Sequence, residues 1–455
     1  MNRREFLASP LALAARDAKP DRQFRRRVCL GWITDLASRP EPGVSWPSLR
    51  LDEELLADYH RSLRVLANLG FNAISVWGLY VARNWPVPIE RAVEPERGRR
   101  VERLIADAHR RGLKVYAGLG VYSWGFEEII RQFPELNRGN PRALCASDPK
   151  AWEWMRRVTD YVFSRFRIDG VSMQSADQGR CTCSECRGHT DAEYHALLVS
   201  RMGDYIRERQ PGKIVAANSW GLRFGDAASL PSLVRMGRKL DYLIDVHDTS
   251  RSADPAYRRR LIKALACDFG TLGGPQVEPP QHWPRDRWFL PCVKRAGEHL
   301  EALQSDAGRA CEFFFHILEN PGDEVSLWVA GKVLSDPSTA WQAHLKEVAA
   351  ELYETSRSSS ADALAELFAA AEDAYFKHLR PGICGTISLE PLESDRAGPP
   401  VYLDRLDARQ RGQYLEDLWS VRRGFARLAP EIRNQAKMRK ILRCIDNTVL
   451  DIQRT

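Results

Sequence analysis

A chain of 455 residues, 44% apolar and 28% charged, can bury one large core with material left for a second region. Its 67 basic and 60 acidic residues leave a formal charge of +7, spread along the chain instead of gathered in one block, so it carries no electrostatic footprint for nucleic acid. No stretch approaches the roughly eighteen consecutive apolar residues of a transmembrane segment.

The first residues, MNRREFLASPLALAARDA, resemble a twin-arginine export signal: Arg3 and Arg4 precede Phe6 and Leu7, a short apolar run follows, and Ala12, Ala14 and Ala15 end it. Pro10 within that run keeps a basic N-terminal tail as the alternative. The expectation is export, with a periplasmic destination, and residues 1–20 are set aside from the fold.

From residue 28 a unit recurs: a short apolar strand ending in polar or glycine-rich residues, then an amphipathic helix. The strands are VCLGWITD (28–35), NAISVWGLY (72–80), LKVYAGLGVY (113–122), DGVSMQS (169–175), KIVAANSW (213–220), DYLIDVH (241–247), ALACDFG (264–270) and ACEFFFHIL (310–318). RWFLPCV (287–293) competes for the seventh place. Between the early strands, ELLADYHRSLRVLANLG puts Leu55, Tyr59, Leu63 and Leu66 on one face and stops at Gly70, and RRVERLIADAHRRG stops at Gly112. Eight such repeats over about 300 residues predict a (β/α)8 barrel. A doubly wound sheet is the runner-up, but WITDLASRP after the first strand is no phosphate-binding glycine loop. After residue 325 the pattern becomes helical, broken at Asp336-Pro337 and by GTISLEPLESDRAGPP (385–400). The expected organisation is a leader (1–20), a catalytic barrel (21–325) and a helical C-terminal region (326–455).

In a parallel barrel the outward side of each strand meets the helices, and the inward side near the carboxyl end floors the active site. Sending the apolar alternates outward turns Ser75 and Trp77 inward on strand two, Ser172 and Gln174 on strand four, and Asn218 and Trp220 on strand five. On strand six, Tyr242, Ile244 and Val246 would face the helices, with Asp245 and His247 inside. Strand seven would contribute Asp268 and strand eight Glu312 and His316. Taken singly, any of these acids reads as a structural ion pair or a barrel-floor hydrogen bond; gathered in one pocket, they point to acid/base chemistry. Trp32, Trp77, Trp124 and Trp220 fall at or beyond strand ends, where indole faces suit sugar rings.

Asp177 stands four residues ahead of Cys181, Cys183 and Cys186, with His189 three residues later. C-x-C-x-x-C-x-x-H offers four ligands for a structural zinc, and Cys145 is another candidate for the fourth place. A disulfide is the rival for an exported protein, and free thiols remain a third reading. In each case the cluster shapes the loop carrying Asp177.

The segments AHRRGLKVYAGLGVY, LCASDPKAW, DGVSMQSADQGRCTCSECR and VAGKVLSDPSTAWQAHLKEVAAELY resemble bacterial glycoside-hydrolase-like barrels related to α-glucuronidases and β-hexosaminidases, over residues 60–380. Such proteins often carry Trp-Asp-Pro where this chain has Ser335-Asp336-Pro337. The resemblance implies a carbohydrate-active barrel. The Asp-Glu pair typical of hexosaminidases is absent, because Gln178 follows Asp177, which argues against substrate-assisted hydrolysis.

The function expected is hydrolysis of a glycosidic bond in an oligo- or polysaccharide by two carboxyl groups, with no cofactor needed for catalysis. Asp177 is the candidate general acid, Asp245 or Asp268 the base or nucleophile, with Glu312 and Glu319 in reserve. Gln174, Asn218, His247 and His316 would bind hydroxyls or a uronate. The alternatives are a non-catalytic carbohydrate-binding barrel, and a sugar lyase or isomerase using a metal at Asp245 and His247 or a lysine base; the strand ends offer no lysine.

Overall fold

A computed structural model describes residues 23–33, 49–174, 178–219, 227–246, 255–272, 289–314, 318–379 and 406–453. The leader and the 385–400 loop lie outside these residues. Eight parallel strands close in sequence order: β1 (Arg26–Trp32), β2 (Ala73–Trp77), β3 (Lys114–Gly120), β4 (Gly170–Gln174), β5 (Ile214–Asn218), β6 (Tyr242–Asp245), β7 (Asp268–Leu272) and β8 (Ala310–Phe314), with β8 pairing back onto β1. Helices α1 (Glu53–Asn68), α2 (Pro95–Arg110), α3 (Glu127–Gln132), α4 (Pro149–Arg165), α5 (Asp191–Arg209), α6 (Leu230–Gly237), α7 (Pro255–Ala264) and α8 (Lys294–Ser305) lie between strands. Then come α9 (Pro321–Ser335), α10 (Trp341–Tyr353), α11 (Ser358–Leu379), α12 (Ala408–Leu428) and α13 (Gln435–Gln453). The chain is thus a (β/α)8 barrel followed by helices, and among the described residues no helix is long and apolar enough to cross a membrane.

Local chemistry sets the helix ends. Asp52 accepts the amide of Leu55 ahead of α1, Asp148 caps α4 with Pro149 at its first position, and Thr190 and Glu193 form a capping box on α5. Gly70 and Gly112 follow α1 and α2 in the left-handed region, φ 81° and 77°, where glycine alone is unstrained.

The amino end of the barrel repeats one device. Asn72, Asp169 and Asp241, each just ahead of an even-numbered strand, accept the amides of Arg27, Val115 and Val215 on the preceding strand at 3.0, 2.8 and 2.8 Å. Each bond satisfies a backbone donor at the amino end of the barrel and sets the start of the next strand.

The strands separate two apolar clusters. Cys29, Ile74, Val76, Val171, Met173, Leu243 and Phe313 pack outward against the helices, whereas Val28, Leu30, Ala73, Trp77, Tyr116, Ala216, Tyr242, Ile244 and Leu272 fill the interior. The register puts Ser75, Ser172, Ile244 and Glu312 from the even strands in one interior layer, with Tyr242 a layer below.

Helix α9 follows β8 and packs on α8 and β1, completing the ring, and α10 to α13 build outward from it. Aromatic and carboxylate contacts are among those that fasten that layer. Phe289, just before α8, meets Phe368 of α11 and Phe425 of α12 at ring separations of 6.0 and 5.6 Å. Fully buried Glu372 of α11 accepts the amides of Val293, Lys294 and Arg295 at 2.6, 2.8 and 2.8 Å. Helix α8 has no side-chain cap of its own, so a carboxylate from the C-terminal helices satisfies its first donors. Burial pushes the Glu372 carboxyl up to about 7, against the pull of those three amides.

Candidate active site

Trp77, Gln174, Asn218 and Asp245 are the last residues of β2, β4, β5 and β6, so all four stand at the carboxyl end of the barrel. The Trp77 indole lies over Gly118, where any Cβ would overlap the ring. Trp124 meets it edge to face, centroids 6.1 Å apart and planes at 87°. Trp124 holds a left-handed backbone, φ 54°, unusual for a bulky residue. Its amide donates to Gln178 Oε1 at 3.1 Å, and the Asn140 side-chain amide donates to the carbonyl oxygens of Gln178 and Arg180 at 2.9 and 3.2 Å. The segment following Asp177 is therefore tied to the indole pair. The Arg83 guanidinium sits 5.8 Å from the Trp124 ring centre.

Beneath this rim lies Glu312, directed into the barrel as its alternation requires and fully buried. Its Oε1 accepts Tyr242 Oη at 2.9 Å and Ser172 Oγ at 3.2 Å. Its Oε2 and the Oγ of Ser75 have no hydrogen-bond partner among the described residues. Burial raises its carboxyl to about 7, and the two hydroxyls offset only part of that shift. Glu312 lies one layer beneath Trp77 and Gln174, where two hydroxyls hold it.

Two acids stand differently from the sequence expectation. On β6 the faces are exchanged: Tyr242, Ile244 and Val246 belong to the interior cluster and Leu243 to the outer one, so alternation turns Asp245 outward. The interior of an eight-stranded barrel is itself a packed core, so an apolar alternate fits either side. Asp245 keeps its place at the carboxyl end, nearly buried, and accepts Ser219 Oγ at 3.0 Å while that hydroxyl accepts the Val246 amide at 2.8 Å. Asp268 points inward, but as the first residue of β7 it lies at the amino end, beside Arg25 and Arg26 at 3.4 and 3.5 Å. Burial raises its carboxyl, against the arginines. A strand residue at that end cannot serve chemistry at the opposite rim, and Asp268 leaves the candidate set.

Asp177, Trp220, His247, His316 and the side chain of Trp32 lie outside the described residues. Glu319 lies partly exposed in the turn between β8 and α9. The thiol group is Cys145, Cys181, Cys183 and Cys186, all four sulfurs within 4.8 Å of one another, and His189 is not part of it. Cys145 comes from the segment between α3 and α4, so the fourth member arrives by tertiary folding and not from the C-x-C-x-x-C run. Gln178, Asn140, Ser219 and Tyr242 were not legible as site residues; only the adjacency of Gln178 to Asp177 pointed to one of them.

No protein-family model and no curated protein matches the sequence. Among solved structures the fold is similar to a GH138 enzyme targeting pectin rhamnogalacturonan II, at 10% identity over 93% of this chain with a TM-score of 0.58. The match spans 56% of that enzyme's length. It is also similar to an O-GlcNAc hydrolase of Thermobaculum terrenum, at 10% identity over 95% of this chain and 83% of that one, with a TM-score of 0.52. Both of these structures are of glycoside hydrolases, and the likeness is one of fold.

Proposed function

We propose that the protein is a glycoside hydrolase-like enzyme that cleaves a glycosidic bond in an oligo- or polysaccharide at the carboxyl end of its barrel. The observation that carries this reading is the Trp77–Trp124 pair at the carboxyl end of the barrel, where β4 and β5 end in Gln174 and Asn218, with Trp124 joined through Gln178 to the segment that follows Asp177. Indoles pack on sugar rings while amides bind hydroxyls, both indoles here keep less than a tenth of their surface exposed at the rim, and both neighbouring enzymes act on carbohydrates. Asp177 would protonate the leaving oxygen, and Asp245, which accepts the Ser219 hydroxyl, would act as base or nucleophile, with Glu312 and Glu319 in reserve. In keeping with the N-terminal motif, the enzyme would work in the periplasm after twin-arginine export.

The test is to screen the purified chain on aryl glycosides and on plant and bacterial polysaccharides. On any substrate cleaved, Asp177→Asn and Asp245→Asn should each lower kcat by about a hundredfold or more; full turnover in both variants refutes the assignment. A second reading, carbohydrate binding without turnover, is supported by the outward aspect of Asp245 and the burial of Glu312. It predicts glycan binding that Trp77→Ala weakens, with no product formed.

A further inference from the structure

We infer that Cys145, Cys181, Cys183 and Cys186 form a tetrathiolate zinc site that rivets the segment after β4 to the segment after β3. The Cys145 sulfur lies 3.7 Å from that of Cys183 and 3.6 Å from that of Cys186. A disulfide would require about 2.05 Å. Four sulfurs at the Zn–S distance of about 2.3 Å in a tetrahedron stand about 3.8 Å apart. The spacing is thus that of ligands around one small cation, with the pairs not bonded to each other.

The surroundings fit such an ion. Cys145, Cys181 and Cys186 are buried, so the group would otherwise gather weakly hydrogen-bonding thiols in one place. The Cys183–Cys186 turn is closed by the amides of Cys186 and Arg187, both donating to the Cys183 carbonyl at 3.1 and 2.9 Å, which presents the two sulfurs on one side. Arg180 donates to the carbonyls of Cys181 and Cys186 at 3.2 Å each, and Arg138 pairs with Glu185 at 3.2 Å alongside the cluster. Arg180 also pairs with Asp191 at 2.7 Å and Arg138 with Asp148 at 3.6 Å, so the two guanidiniums beside the thiols are shared with carboxylates. Gly139, φ 136°, admits the loop: a Cβ there would stand 3.0 Å from the Cys183 amide, and Thr182 Oγ1 donates to the Gly139 carbonyl at 2.9 Å.

Four protein sulfurs fill a tetrahedral shell and leave no position for water, so the ion would hold structure and not activate a nucleophile. What it would hold is the frame of the Trp124–Gln178–Asn140 contacts. Each thiol gives its proton to solvent as its sulfur binds the metal.

The experiment is metal analysis of the full chain by inductively coupled plasma mass spectrometry. The expected result is about one zinc per chain, kept in His189→Ala and Cys267→Ser and lost in Cys145→Ser and Cys183→Ser. Exchange of the wild-type chain with Co²⁺ alone should give tetrahedral d–d bands with an intense sulfur-to-cobalt charge-transfer absorption, which decides the matter even if the serine variants do not fold. Wild-type chain free of metal, a disulfide within the group by mass spectrometry, iron in place of zinc, or zinc retained without Cys145 would each overturn the inference. None of these readouts depends on turnover, so the site can stand or fall apart from the glycosidase reading.

Discussion

The Tyr242 hydroxyl donates to Glu312 Oε1 at 2.9 Å, so a residue from one layer of the barrel interior holds the acid of the layer above. Glu312 is held near 7 by burial, against an ordinary glutamate value of 4.5. Between those values the folded chain keeps a proton that the unfolded chain releases, so this residue's contribution to stability falls as pH rises and levels off above 7. Replacing Glu312 by Gln removes that titration. Denaturant unfolding should show the variant gaining on wild type between pH 4.5 and 8, by on the order of 3 kcal/mol; a difference independent of pH would contradict the assignment.

The same bond makes a second test. Tyr242→Phe deletes a donor to a buried carboxyl while leaving the ring beside Tyr116, 6.2 Å away. The cost should be about 1–3 kcal/mol, larger at pH 8, where Glu312 is ionised, than at pH 5. Equal costs at both pH values would mean that the hydroxyl does not support the charge.

Gly118→Ala should destabilise the fold by roughly 1–3 kcal/mol, because the new methyl group falls on the Trp77 indole. In a Trp77→Ala background the same change should cost much less. Additive penalties in a double-mutant cycle would show that the indole is not what Gly118 accommodates.

Asp268→Asn should leave turnover unchanged on any substrate the wild type cleaves, since the residue lies at the amino end of the barrel. Its loss weakens ion pairs with Arg25, which is largely exposed, and Arg26, so stability should shift by less than about 1 kcal/mol. A large fall in kcat with unchanged stability would restore it to the active site.

Much of this architecture was legible in the chain because strand and helix periodicities are local. All eight strands fall within or beside the predicted stretches; the seventh begins at Asp268 because Ala264 still belongs to α7. Inward faces followed from alternation at Trp77, Gln174, Asn218 and Glu312, where a polar or indole residue sits among aliphatics. Alternation failed on β6, where both faces are apolar around Leu243 and the choice was made by Tyr242 reaching Glu312, a contact spanning 70 positions. The end of a strand was harder still: Asp268 has the inward parity of a catalytic acid and the axial position of a structural one. Cys145 was legible as a candidate fourth ligand, but the choice between it and His189 depended on two loops meeting in space.

The carboxylate of Glu372, reaching from the C-terminal helices to the bare amides of α8, has a bearing on how the chain can be divided. A barrel severed before α11 would lose the acceptor for three consecutive donors and both ring partners of Phe289 together. The two regions should therefore melt as one cooperative unit, and a truncated barrel is the wrong object on which to measure this protein's chemistry.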